Sequence, residues 1–198
     1  MSGDGYALPS WTEVARTPDE VRAIDSVQNT FQRVIAQGWR PATVVGATDA
    51  EIMDWAGRQG VDTVPAAAKE VLRMIGRRHG AWLGGTRLGT EEVRPESKAG
   101  AIACLRNRES EMTDPSGMLV PADHQAYSYM VIDGSDLYRP DPPVWPITEG
   151  EEVILCSPAV SQWSIAPDPE LFRRRIAMFR RIGPKPLSSL TDGFEALD

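Results

Sequence analysis

The stretch LVPADHQAYSYMVIDGSDLYRPDPPVWPI, residues 119–147, decides the fold. Tyr127, Tyr129 and Val131 alternate with Ser128, Met130 and Ile132, a period of two that belongs to a strand covered on at least one face. Asp133-Gly134 follows, and its tolerance of a left-handed backbone predicts a hairpin turn there. Past Tyr138, Pro140, Pro142, Pro143 and Pro146 bring no N–H to a central ladder, so the returning segment sits at a sheet edge or leaves the sheet.

Outward from this stretch the period stays at two. Strands are expected near 82–88, 100–106, 118–122, 126–132 and 153–156, with Thr113-Asp114-Pro115-Ser116-Gly117 as a turn. Before Gly80 the period is helical. Thr17-Pro18-Asp19-Glu20 is a capping box, and Ile24, Val27, Phe31, Val34 and Ile35 repeat behind it until Gly38. Thr48-Asp49-Ala50-Glu51 is a second capping box ahead of Ile52, Trp55 and Ala56. Pro65 opens a third helix with the face Ala68, Val71, Leu72 and Ile75, its last turn carrying Arg77, Arg78 and His79 before Gly80. A final helix runs from Asp168-Pro169-Glu170 to Gly183-Pro184, crowded with Arg173, Arg174, Arg175, Arg180 and Arg181. Helices first and strands after predict one α+β domain with an antiparallel sheet. Residues 1–47 then form an N-terminal arm and helix on the domain, 48–166 the domain itself, and 167–198 an arginine-rich helix and tail.

With 198 residues, 41% of them hydrophobic and 25% charged, the chain can build one core without help. No apolar run approaches a membrane span and no N-terminal stretch reads as a secretory signal, so a cytoplasmic location is expected. Cys104 and Cys156 are too few for a disulfide framework and are expected as reduced thiols. The charge is uneven. From Glu109 to Glu152 ten acids face one base, Arg139, a local charge of −9 in a chain whose net charge is −7, which leaves +2 elsewhere. Such a surface argues against nucleic acid and for a basic protein partner or simple solubility, which sequence alone does not separate.

Catalytic readings are weak. His124 follows Asp123, but neighbours on a strand point to opposite faces, so a packed or surface histidine is expected. His79 is explained as a cation at a helix C-terminus. His79, Cys104, His124 and Cys156 are spaced too widely for a local zinc motif, and no phosphate-binding glycine loop or serine elbow is present. Glu109 and Glu111 read as a solvated edge, and the arginine cluster as a solvated face or a lid over the chain's own acids. No catalytic residue, cofactor or metal is therefore expected, and the chain reads as a non-enzymatic binding module. Candidate partner-binding residues are Glu109, Glu111, Asp114, Tyr127, Tyr129, Asp133, Asp136, Tyr138, Asp141 and Trp145. At least two of the four aromatics are expected to be packing, and the remainder mix ring and charge as interface hot spots do.

The order of these parts resembles a known family. Glu51, Gly60, Val64-Pro65, Val71-Leu72 and Gly80 are similar to the opening of the SUKH (SMI1/KNR4) superfamily, whose pattern reads E…LG…LP…Y…LL…NG. Residues Ala122 to Tyr129 resemble its central strand, and Asp141-Pro142-Pro143-Val144-Trp145 its edge segment. The likeness spans about residues 48–166; Ala68 stands where an aromatic is usual and His79-Gly80 replaces Asn-Gly. It implies a twisted antiparallel sheet flanked by helices, with additional N- and C-terminal helices in this chain. It also implies a bacterial immunity protein that occludes a toxin domain, often a nuclease, with an endogenous interaction scaffold as the alternative. A monomer or weak homodimer, free of nucleic acid and membrane, is the expected assembly.

Overall fold

The computed structural model describes residues 16–36, 44–80, 85–106, 108–151, 153 and 157–163. The expected N-terminal arm, the strand expected over 153–156 except for Val153, the arginine-rich helix and the tail lie outside the described residues. What is described is α+β. The chain opens with helices α1 (Pro18–Ala36), α2 (Asp49–Arg58) and α3 (Ala66–Ile75). Strand β1 (Thr86–Leu88), the short α4 (Gly89–Glu92) and α5 (Pro95–Leu105) follow. Strands β2 (Leu119–His124), β3 (Ser128–Ile132) and β4 (Trp145–Thr148) complete an antiparallel sheet ordered β1-β2-β3-β4. Among the described residues no helix is long and apolar enough to cross a membrane.

The first three helices form as their caps dictate. Thr17 and Glu20 exchange side-chain and backbone bonds at the start of α1, and Thr48 and Glu51 do the same at α2. Ile24, Val27, Phe31 and Val34 of α1 are buried, as are Ile52, Trp55 and Ala56 of α2 and Ala68, Val71, Leu72 and Ile75 of α3. Helix α3 is shorter than its pattern predicts. Gly76 caps it, and Arg78 bridges to Val45 instead of making a further turn. His79 therefore does not sit in the last turn of a helix: it is buried beyond α3, with Nε2 3.0 Å from Glu92 Oε2.

Two expectations within the sheet region are corrected. Residues 100–106, expected as a strand, lie mostly in α5. Pro95 starts that helix after an extended Arg94, and the small residues Ser97, Gly100 and Ala101 let it approach the sheet closely. The tight turn is not at Asp133-Gly134, which enters a single 3-10 turn (Gly134–Asp136) on the way to β4. It lies at Gln125-Ala126, between β2 and β3. Among the described residues the proline-bearing segment is an edge strand: β4 contains Pro146 and its one partner strand is β3.

A helix layer covers each face. Arg87, Asp123, Tyr129 and Ile147 form one cross-strand row, on the face against which α5 lies. Leu88, Ala122 and Met130 belong to the next row, on the opposite face, where α3 packs and α1 packs behind it. Gln59, at the end of α2, stitches this layer to the sheet. Its amide donates to Val120 C=O (3.3 Å) and its carbonyl accepts from Val120 N–H (3.0 Å), as a neighbouring strand would.

Helices α2 and α3 are tied by charge. Asp49 accepts from Arg73 Nε and Nη2, both at 2.7 Å, and lies 3.2 Å from Lys69 Nζ. The bonds from Arg73 outweigh burial and hold the Asp49 carboxyl at about 2 instead of 3.8. A depressed carboxylate stabilises the fold above its unfolded-state pKa and loses that contribution as pH falls through the folded value. Because Asp49 is 48% exposed, screening leaves about 1 kcal/mol. Urea unfolding of the native chain and of Asp49→Asn should differ by that amount at pH 6 and converge near pH 2. A gap persisting at pH 2 would mean that Asp49 acts by its shape and not its charge.

Candidate functional site

The ten candidate residues do not share a surface. Ser128 pairs with Thr148 at one end of the β3–β4 ladder and Val131 with Trp145 at the other, about 10 Å apart along the strand. Tyr127 belongs to the first end, where its carbonyl accepts from Glu149 N–H at 2.9 Å. Glu109 and Glu111 belong there as well, because Arg108 beside them donates to the carbonyls of Thr148 (3.1 Å) and Glu151. Asp114 and Asp133, with the 3-10 turn that leads to Tyr138, gather at the other end.

Most acids of the far end are engaged by their own loops. Asp133 is buried and accepts from the backbone N–H groups of Thr113, Asp114 and Ser135. Asp114 accepts from Gly117 N–H and Ser116 Oγ–H, which hold its carboxyl below the usual range. Asp141 accepts from Ser161 N–H and Oγ–H, and Asp136 pairs with Arg139 at 3.1 Å. Trp145 is buried, and its indole N–H meets no partner among the described residues. Tyr129 is buried too, so neither ring is available as a contact. Of the candidates at this end, Tyr138 is the exposed one, at 78%.

The turn end differs. An open cleft of about 690 Å³ is lined by Arg108, Glu109, Ser110, Glu111, Gly150 and Glu151. Glu109, Glu111, Glu149 and Glu151 are all exposed. Arg108 is half-buried, its guanidinium turned inward onto the two carbonyls. Tyr127 stands beside them, exposed, with its ring edge-on to His124 at 5.6 Å. Glu149, Glu151 and Arg108 were not among the sequence candidates. The available signal was Gly150 between two glutamates, a left-handed position (φ 84°) that makes a turn and turns both side chains loose.

Other polar clusters serve the fold. Asp123 is wholly buried and bound by Arg87 and Ser97, while His124 Nδ1 lies 3.1 Å from Thr86 Oγ1, so the two neighbours do face opposite ways. Glu92 lies below the ordinary carboxyl range; burial works against this, and the bond to His79 leads the effects that outweigh it. Among the described residues no three His, Cys, Asp or Glu side chains gather as a metal-binding group. Comparison with protein-family models, with curated proteins and with solved structures gives no match to this chain.

Proposed function

We propose that this chain is a non-enzymatic protein-binding module that docks a basic partner on the cleft at the β2–β3 turn. The specific reading is an immunity protein that neutralises a toxin domain by covering its basic surface. One observation carries it: the exposed carboxylates of Glu109, Glu111 and Glu151 line one cleft, and next to its Gly150 stands exposed Glu149, whose N–H donates to the carbonyl of an exposed aromatic, Tyr127. Converging like charges of this kind raise the encounter rate of a basic surface and repel nucleic acid. The helices-then-meander order is in keeping with the SUKH arrangement and supports membership of that family, with a cytoplasmic location and a monomer or weak homodimer as its corollaries.

The test begins with a tagged pull-down from native cytosol at low salt, to obtain the partner. Association of the purified partner is then followed with the native chain and with Glu109→Gln/Glu111→Gln/Glu149→Gln/Glu151→Gln. The variant should associate about tenfold more slowly at low salt and lose most of its salt dependence. Equal rates at both salts would remove the cleft from the interface. The isolated Tyr138 at the far end favours a second reading, an endogenous scaffold that holds two proteins at once. Loss of one of two captured proteins on Tyr138→Ala would select it.

A further inference from the structure

The β2–β3 turn is made of residues ill suited to its shape. Gln125 and Ala126 both hold positive φ, 51° and 61°, where side chains bearing a Cβ are rare and Asn-Gly is the usual pair. The turn's own closing bond, from Tyr127 N–H to His124 C=O, is long at 3.3 Å. The hold comes from outside. Tyr129, 3% exposed, donates its hydroxyl to Ala126 C=O at 2.5 Å. The hydroxyl reaches that position because α5 has Gly100 beneath it: a Cβ there would lie 2.9 Å from Tyr129 Cζ and overlap the oxygen. The next residue's carbonyl, on Tyr127, is in turn the acceptor for Glu149 N–H at the lip of the cleft.

We infer that Tyr129 is a positioning residue, whose buried hydroxyl latches the Ala126 carbonyl and so presets Tyr127 and the glutamate turn for docking. The role in docking rests on the binding reading above; the latch itself does not. A ring buried to this degree cannot touch a partner, so its contribution has to pass through the turn it holds.

Tyr129→Phe keeps the ring and removes the latch. In the free protein, NMR-detected hydrogen exchange at the Tyr127 amide should quicken about fivefold, the size of one lost hydrogen bond. The amides of Met130 to Ile132 should not change. No change at Tyr127, or an equal rise along all of β3, would overturn the inference, because the hydroxyl would then hold nothing local. Adding Gln125→Asn/Ala126→Gly to the Phe variant should restore slow exchange, since that pair adopts the turn unaided. Persistent fast exchange would show that backbone strain is not what the hydroxyl opposes. Exchange in the free chain needs no partner, so failure of the latch is distinguishable from failure of the docking reading, which the glutamate variant tests.

Discussion

Gly89→Ala is expected to destabilise the chain by about 4 kcal/mol. Gly89 joins β1 to α4 at φ 80°, and it does so against the backbone of Gly76, the cap of α3. A Cβ at position 89 would lie 2.8 Å from Gly76 Cα and overlap its carbonyl oxygen. That carbonyl is held where it is, accepting from Thr90 N–H at 2.8 Å and from Thr90 Oγ–H at 3.2 Å. Gly76 is itself tied down, since its own N–H donates to Leu72 C=O at 2.8 Å. Left-handed strain and overpacking together amount to about 4 kcal/mol, a large part of the roughly 5–15 kcal/mol that holds a domain folded. Gly57→Ala is the control. Gly57 lies inside α2 with no atom near its missing Cβ, so alanine there should stabilise by about 0.5–1 kcal/mol. Chemical denaturation should therefore move in opposite directions for the two variants; a Gly89→Ala chain as stable as the native one would refute the described crossing.

How much of this was legible in the sequence depended on how local the cause was. Capping boxes at Thr17 and Thr48 and the apolar spacing of the first three helices depend on neighbours three and four residues away, and those elements formed where expected, except that α3 stops at Ile75 instead of running to Gly80. The edge position of β4 followed from Pro146, which has no N–H wherever it stands. Helix α5 was misread because its residues are small and weakly patterned. Ser97, Gly100 and Ala101 suit close approach to a sheet, and only the sheet makes that visible. The turn was misplaced because Asp133-Gly134 has the better local chemistry, whereas Gln125-Ala126 is held by Tyr129 from β3. Acidic residues were the least legible. Sequence counts charges, but it cannot say that Asp133 caps its own loop while Glu151 faces a cleft.

Arg87→Leu should destabilise the chain by about 3–5 kcal/mol, far more than its half-exposed position implies. The reason lies in its partner. Asp123 is 0% exposed, and its carboxylate is satisfied by Arg87 Nε at 2.7 Å, by Arg87 Nη2 at 2.6 Å and by Ser97 Oγ–H at 2.7 Å. Without Arg87 a buried charge keeps one hydroxyl and no counter-ion. The reverse deletion is milder. Asp123→Asn retains an acceptor for Ser97, and Arg87, 42% exposed, can turn to water, so about 1–2 kcal/mol is expected. The double variant Arg87→Leu/Asp123→Asn should then be more stable than Arg87→Leu alone, since no buried charge is stranded. Simple additivity in urea denaturation would mean that the carboxylate is stabilised by something other than Arg87. The site would register the loss as well: Asp123 is the register partner of Tyr129, so the sheet that carries the latch depends on a charge pair one strand away. Arg87→Leu should accordingly quicken exchange at Tyr127 together with all of β2 and β3, the uniform pattern that Tyr129→Phe must not produce.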